Sequence, residues 1–173
     1  MVFGMSLQTY TLIHVLISLI GIASGLVALY GLLKNKRFNS WTAVFLTSTV
    51  LTSVTGFGFP FDHLLPSHKV AILSLLALTI AIVARYPLHL AGAWRKTYVI
   101  GACVALYFNC FVLVVQLFEK VPTLKALAPT QKELPFAIAQ LVVLVVFIVL
   151  TVFAAKRFRG ELTVAAKVAS RAA

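Results

Sequence analysis

Five long apolar segments constrain this chain more than any other feature of its sequence. A helix needs about 20 mostly apolar residues to cross a bilayer, and this criterion selects residues 9–33, 41–61, 67–85, 97–118 and 136–155. The chain of 173 residues is 61% hydrophobic and only 11% charged, whereas about a quarter of the residues are charged in a typical soluble domain. The sequence therefore predicts a single all-α domain, a polytopic membrane bundle of five transmembrane helices.

The ends of these segments agree with that interpretation. The third segment is the shortest, but Arg85 at its end can extend its charged head to the membrane surface. The first segment has no basic residue before it and Lys34 after it, which favours a retained span over a cleaved signal peptide. Three prolines predict an ordered loop over residues 120–135, and Pro135 is well placed to begin the last helix.

The basic residues are distributed unevenly between the loops. Most of the 15 lysines and arginines follow the first, third and fifth segments, whereas Asp62, Glu119 and Glu133 lie in the other loops. With five crossings, the positive-inside rule predicts that the amino terminus is outside and the carboxyl terminus is cytoplasmic. The basic tail after Gly160 is expected to lie along anionic lipid head groups. Since topology explains the net charge of +11, we expect no nucleic-acid binding.

The first segment carries a stripe of small and polar side chains. His14, Ser18, Gly21, Gly25 and Ala28 recur every three or four residues, so they share one helix face. Gly21 and Gly25 form a Gly-x-x-x-Gly pair, which lets a second helix approach closely. The stripe predicts either a packing seam within the bundle or a homodimer contact through Gly21 and Gly25.

The second segment carries a track of hydroxyl groups that leads to the only aspartate of the chain. Thr52, Thr55 and Asp62 lie on one helix face at helical spacing. Pro60 removes a backbone donor and is expected to kink the end of this helix, so that Asp62 and His63 turn at the outer boundary. Alternatively, the hydroxyl groups bond back to carbonyls of their own helix.

Polar side chains from four segments are expected in the outer half of the membrane. Ionisable and amide groups at membrane depth mark either a site or a satisfied network. We therefore predict a ligand-binding site there, with a structural network that fixes the helices as the alternative. The role that we expect is to bind or pass a small ligand or ion, or to act as an accessory subunit, rather than covalent catalysis. The candidate residues are His14, Thr52, Thr55, Asp62, His63, Asn109, Gln116, Glu119 and Gln140.

Haem is the sharpest alternative chemistry. Two histidines on facing helices can ligate haem iron, and His14 with His63 or His68 is the candidate pair, so a haem- or quinone-binding redox protein is the second hypothesis.

The letters TGFG at positions 55–58 resemble a potassium-channel filter, but a filter lies on a re-entrant loop, whereas this segment is long enough to span. The sequence contains none of the nucleophile-elbow or metalloprotease motifs of hydrolases.

Five strings in this chain also suggest a family. They are HVLISLIGIASG, TSVTGFGFPFD, HLAGAWR, FVLVVQLF and ALAPTQKELPF, followed by Gln140. In these strings the chain resembles an uncharacterised family of small integral membrane proteins of proteobacteria, and the similarity extends over nearly the whole chain. The resemblance implies a location in the bacterial inner membrane and no particular activity. The family more often has a second proline at the position of Leu134. The leucine in this chain makes the preceding loop slightly less rigid.

Overall fold

A computed structural model describes residues 4–60 and 66–159, and over these residues the chain is helical and contains no strands. The prediction of an all-α bundle is therefore confirmed. Five of the helices match the predicted segments to within a few residues, and the additional helix, α5, is a short element in the loop before α6. The helices are α1 (Leu7–Leu33), α2 (Asn39–Gly56), α3 (Pro66–Arg85), α4 (Trp94–Lys120), α5 (Pro122–Leu127) and α6 (Leu134–Arg157).

By length and composition, 4 of the helices can cross a membrane, and these are α1, α3, α4 and α6. The predicted number was five. In the described part of the chain α2 does not meet the criterion, because serine and threonine occupy many of its positions. The third predicted segment does meet it as α3. Arg85, the last residue of α3, donates from Nη2 to Asn39 Oδ1 at 2.7 Å and lies above the ring of Tyr98.

Helix α2 ends at Gly56, earlier than the predicted boundary at residue 61. The amide of Phe57 donates to the Val54 carbonyl and that of Gly58 to the Thr55 carbonyl, at 3.1 and 3.0 Å. Such short-range bonds tighten and close the last turn of a helix. Pro60 has no amide to continue the helix and disfavours helical backbone at the residue before it. The predicted turn at residues 62 and 63 lies outside the described residues.

Helices α1 and α2 pack antiparallel along their lengths. One register describes the whole interface, which extends from the loop that joins the helices to the turn after α2. On α1 the paired stretch covers 10–31, which corresponds to roughly 30 Å at the helical rise of 1.5 Å per residue. The pairs that set the register are Gly31 with Phe38, Gly25 with Phe45, Gly21 with Ser48, His14 with Thr55, and Tyr10 with Phe59.

Helix α4 lies at the centre of the bundle, where it contacts every other helix. A Cβ atom at Gly101 would lie 2.9 Å from the Ala77 carbonyl, so the glycine allows the backbone of α3 to approach closely. Leu106 is 1% exposed and faces α1, and the ring of Tyr107 meets that of Phe147 on α6. The core therefore sits around α4, between α3, α6 and the α1–α2 pair.

Three chain segments meet at one end of the bundle. Arg95, at the start of α4, donates from Nη1 to the carbonyl of Arg159 at 2.9 Å, and the amide of Arg159 donates to Asn35 Oδ1 at 2.7 Å. We call this the cationic end, and we call the opposite end, where α1 begins, the amino-terminal end. The basic residues of the cationic end are Lys34, Lys36, Arg37, Arg85, Arg95, Lys96, Lys156, Arg157 and Arg159.

Candidate functional site

The contact between His14 and Thr55 joins α1 to α2 at the amino-terminal end. His14 Nδ1 lies 2.8 Å from Thr55 Oγ1, and this hydroxyl donates to the Leu51 carbonyl at 2.7 Å. A hydroxyl has one proton to donate, so Thr55 Oγ1 accepts a hydrogen bond from the Nδ1–H group of the imidazole. The geometry thus assigns the proton of neutral His14 to Nδ1 and leaves Nε2 as an acceptor.

Aromatic rings hold this contact in place. Phe59 meets the rings of His14 and Tyr10 edge-on, at centroid distances of 5.1 and 5.0 Å. The Tyr10 hydroxyl donates to the carbonyl of Thr55 at 2.7 Å. Tyr10 is buried, whereas His14 is only half-buried. The imidazole is therefore fixed by its neighbours but remains partly accessible.

A second polar contact links α4 to α2. Asn109 Nδ2 donates to Thr49 Oγ1 at 3.1 Å, and both residues are buried. A Cβ atom at Gly21 would lie 3.2 Å from Thr49 Oγ1 and 3.4 Å from Asn109 Nδ2, so the glycine leaves room for these side chains where the three helices meet. Between the two contacts, the enclosed hydroxyl of Thr52 has no hydrogen-bond partner among the described residues.

The remaining predicted residues make other contacts. Gln116 and Glu119 are exposed near the end of α4, where Gln116 Nε2 lies 3.4 Å from Glu119 Oε2, and Glu119 pairs with Lys120 at 3.2 Å. Gln140 of α6 donates to the Phe111 carbonyl at 3.2 Å, and its Oε1 is enclosed without a partner in the described part of the chain. Among the described residues, hydrogen bonds thus connect none of these three side chains to His14.

The structure therefore brings together only part of the predicted set. His14 and Thr55 are in direct contact, Thr52 is one turn away, and Asn109 belongs to the separate contact with Thr49. Asp62 and His63 lie outside the described residues. Sequence reasoning missed Tyr10 and Thr49, although each lies one helical turn from a residue that it selected.

The small-residue stripe of α1 is covered by the chain itself. Gly21 and Gly25 are both buried. A Cβ atom at Gly25 would lie 2.5 Å from Leu106 Cδ1 and 2.7 Å from Phe45 Cδ2. The stripe is thus a packing seam within the bundle. A homodimer remains a prediction, but in this arrangement Gly21 and Gly25 are not available for it.

The histidines differ in their surroundings. His68, one proposed haem partner of His14, is 2% exposed and stacks on Phe57 at a centroid distance of 5.2 Å. His89 is exposed near the cationic end. Over residues 4–60 and 66–159, no group of at least three His, Cys, Asp or Glu side chains could hold a metal ion.

Comparison with known proteins finds no match to this chain among family models, curated proteins or solved structures.

Proposed function

We propose that the chain is a five-span protein of the bacterial inner membrane, with its amino terminus outside and its carboxyl terminus in the cytoplasm. Helix α2 and the turn after it pack along α1 over a length that is about equal to the thickness of the hydrocarbon core of a bilayer. In addition, the α1–α2 loop, the α3–α4 loop and the end of α6 meet at the cationic end. Helices α2 and α3 join the first two of these segments. The chain therefore leaves the cationic end along α2 and returns to it along α3, which supports α2 as the fifth crossing. The basic residues there favour the cytoplasmic side.

The polar composition of α2 fits this topology. Its buried residues include Thr42, Ser48, Thr49 and Ser53, so many of its hydroxyl groups face other helices and not the exterior. Polar side chains within membrane bundles turn toward neighbouring helices in this way. The low hydropathy of α2 is therefore explained by an interior-facing polar side.

At the amino-terminal end, we propose that the protein binds or passes a small ligand or ion, or serves as an accessory membrane subunit through the same site. The observation that supports this proposal is the contact between His14 and Thr55. With Nδ1 committed to Thr55, the Nε2 lone pair of a half-buried imidazole can accept from a ligand.

An acceptor nitrogen favours a cation or a hydrogen-bond donor such as an ammonium group. The enclosed Thr52 hydroxyl, one turn from Thr55, provides a second unsatisfied group. We include Asp62 and His63 in the proposed site because of their positions in the sequence alone. The carboxylate of Asp62 would compensate the charge of a cation at membrane depth.

The same contact supports one alternative, a haem- or quinone-binding redox protein. Histidines that ligate a metal usually donate from their other ring nitrogen to a fixed acceptor, and Thr55 Oγ1 is such an acceptor for His14. A Soret band in the absorption spectrum of the purified protein would favour the redox role. Its absence, together with binding of a colourless ligand, would favour the binding role.

A thermal-stability screen tests the binding role. The purified protein in lipid nanodiscs is titrated with ammonium, sodium, magnesium and zinc salts. We expect at least one cation to raise the unfolding temperature of the wild type and of a His89→Asn control, and Thr55→Val to weaken this effect. His14→Gln should abolish it. A screen in which no cation stabilises the wild type, or in which His14→Gln responds like the wild type, would contradict the proposal.

A further inference from the structure

A cavity of about 560 Å³ lies at the cationic end, away from the site around His14. Three segments form its wall, namely Arg37 of the α1–α2 loop, residues 90–93 with the first turn of α4, and Arg159 after α6. The hydrogen bonds from Arg95 to Arg159 and from Arg159 to Asn35 tie these segments together. The cavity is thus created by tertiary structure and not by a single loop.

Among the residues that the structure describes, all charged side chains that line this cavity are basic, and they are Arg37, Arg95, Lys96 and Arg159. Arg37 forms no hydrogen bond or ion pair with any residue that the structure describes, and its Nε is enclosed. Arg95 Nε is also enclosed without a partner, although Nη1 of the same side chain is bonded. An Nε–H that is enclosed without an acceptor favours the binding of an anion.

The described acidic residues do not supply this anion. Glu119 lies near the end of α4 and Glu133 at the start of α6, and both positions belong to the amino-terminal end. In the described part of the chain, the positive charge around the cavity is therefore not balanced by a carboxylate.

The backbone adds to the positive potential of the cavity. Helix α4 has 27 residues and begins at Trp94, and no side chain caps its first turn. The amides of Trp94 and Lys96 already donate to the carbonyls of Ala91 and Ala93, so the backbone contributes through the positive end of the helix dipole, which favours anions at this position. The preceding loop bends sharply, since Leu90 and Gly92 have φ values of 59° and 51°. This bend belongs to the HLAGAWR string, which the site around His14 does not use.

We propose that this cavity binds a phosphate group. Arginine forks match the oxygen geometry of phosphate, and lysine adds a point charge. On the proposed topology the cavity opens at the cytoplasmic face, where phosphate is available from anionic phospholipid head groups and from soluble phosphorylated molecules. This site is independent of the outer one, so variants of His14 should leave it unchanged.

Tryptophan fluorescence can report on the cavity. The chain contains 2 tryptophans, and a Trp41→Phe background leaves only Trp94, which lies between the lining residues Ala93 and Arg95. In the first arm, protein in phosphatidylcholine nanodiscs is titrated with inorganic phosphate. In the second arm, the phosphatidylglycerol content of the nanodiscs is increased stepwise. We expect a saturable change in Trp94 emission in at least one arm.

The two arms identify the source of the phosphate. A response to inorganic phosphate assigns a soluble ligand, and a response to phosphatidylglycerol alone assigns a lipid head group. Arg37→Gln should raise the midpoint of the responding titration about tenfold, as expected for the loss of one charge-assisted contact. Arg37 is the preferred variant because Arg95 also holds Arg159 in place.

Two controls make the result decisive. Arg157→Gln removes a charge from the cationic end without altering the cavity lining, and its midpoint should change less than about twofold. Glu161→Gln removes the first acidic residue after Arg159 in the sequence, and it should also change the midpoint of the titration little. The proposal is overturned if neither arm saturates, or if Arg37→Gln and Arg157→Gln weaken binding equally. It is also overturned if phosphate binds only after Glu161 is replaced, because the carboxylate would then occupy the cavity.

Discussion

The side-chain amide of Asn109 donates a hydrogen bond to the hydroxyl of Thr49, at 3.1 Å, where α1, α2 and α4 meet. Both side chains are buried, and leaving either of them unpaired is costly. The pair therefore favours one rotational setting of α2 against α4, and Gly21 provides the space for it.

Breaking this pair should destabilise the bundle. We expect Asn109→Ala and Thr49→Val each to lower the free energy of unfolding by about 1 kcal/mol, the order found for polar contacts within membrane bundles. The double variant should lose less than the sum, because both substitutions remove one interaction. Equilibrium unfolding in mixed micelles measures these values. Thr79→Val is the control, since Thr79 is exposed and bonds only to its own helix. Additive losses would contradict the coupling.

The close approach at Gly25 can be tested by adding a single methyl group. Gly25→Ala should lower the free energy of unfolding by about 1–3 kcal/mol, because the new Cβ would overlap Phe45 and Leu106. Leu106→Ala removes one of the overlapping groups but leaves a cavity, so the double variant should lose less stability than the sum of the two single losses. Gly56→Ala is a matched control, since its Cβ would meet only His14, at 3.9 Å. Unchanged stability of Gly25→Ala would contradict the packing and would be expected if Gly25 faced lipid or a second copy.

Glu133 gives the loop before α6 a defined pH dependence. Its carboxylate accepts from the hydroxyl and amide of Thr130, at 2.8 and 3.2 Å, and from the amide of Lys132 at 3.0 Å. Some desolvation acts to raise the pKa of this carboxyl, but the hydrogen bonds outweigh it and hold the pKa below its usual value of 4.5. The stabilisation is therefore complete above pH 4.5 and is lost as the pH falls through the lower folded-state pKa.

Glu133→Gln should accordingly lower the stability at neutral pH and flatten the acid end of the stability profile. Thermal unfolding between pH 3 and pH 7 measures this difference. Glu119→Gln is the control, because its ion pair with Lys120 is exposed and contributes little. An acid profile of Glu133→Gln that coincides with that of the wild type would show that this turn does not contribute.

The helices could be predicted from the sequence because apolar length is a property of the chain alone. Their exact ends depend on local chemistry, as at α2, where Gly58 forms a tightened turn before Pro60 stops the helix. The short α5 has six residues, too few to give a periodic pattern. Helix α2 is less apolar than its neighbours because hydroxyl groups lie on its buried face.

The site could be predicted only in part, because residues that share a helix face are not always covered by the same neighbour. Gln116 lies on the same face of α4 as Asn109, yet Asn109 is buried and Gln116 is exposed. Gln140, another candidate residue, donates to the Phe111 carbonyl. His14 and Thr55, two of the candidate residues, are in direct contact across α1 and α2. Their contact depends on the α1–α2 register, which close packing at Gly25 helps to set.

The amino-terminal and cationic ends are proposed to lie on opposite sides of the membrane, which requires α2 to cross it. Single cysteines placed before and after α2, by Lys36→Cys and Ser67→Cys in a Cys103→Ser, Cys110→Ser background, test this directly. A membrane-impermeant maleimide applied to intact spheroplasts should label Ser67→Cys, and it should label Lys36→Cys only after the membrane is permeabilised. If both positions are labelled from the same side, α2 does not cross, and the proposed separation of the His14 site from the cationic cavity is contradicted.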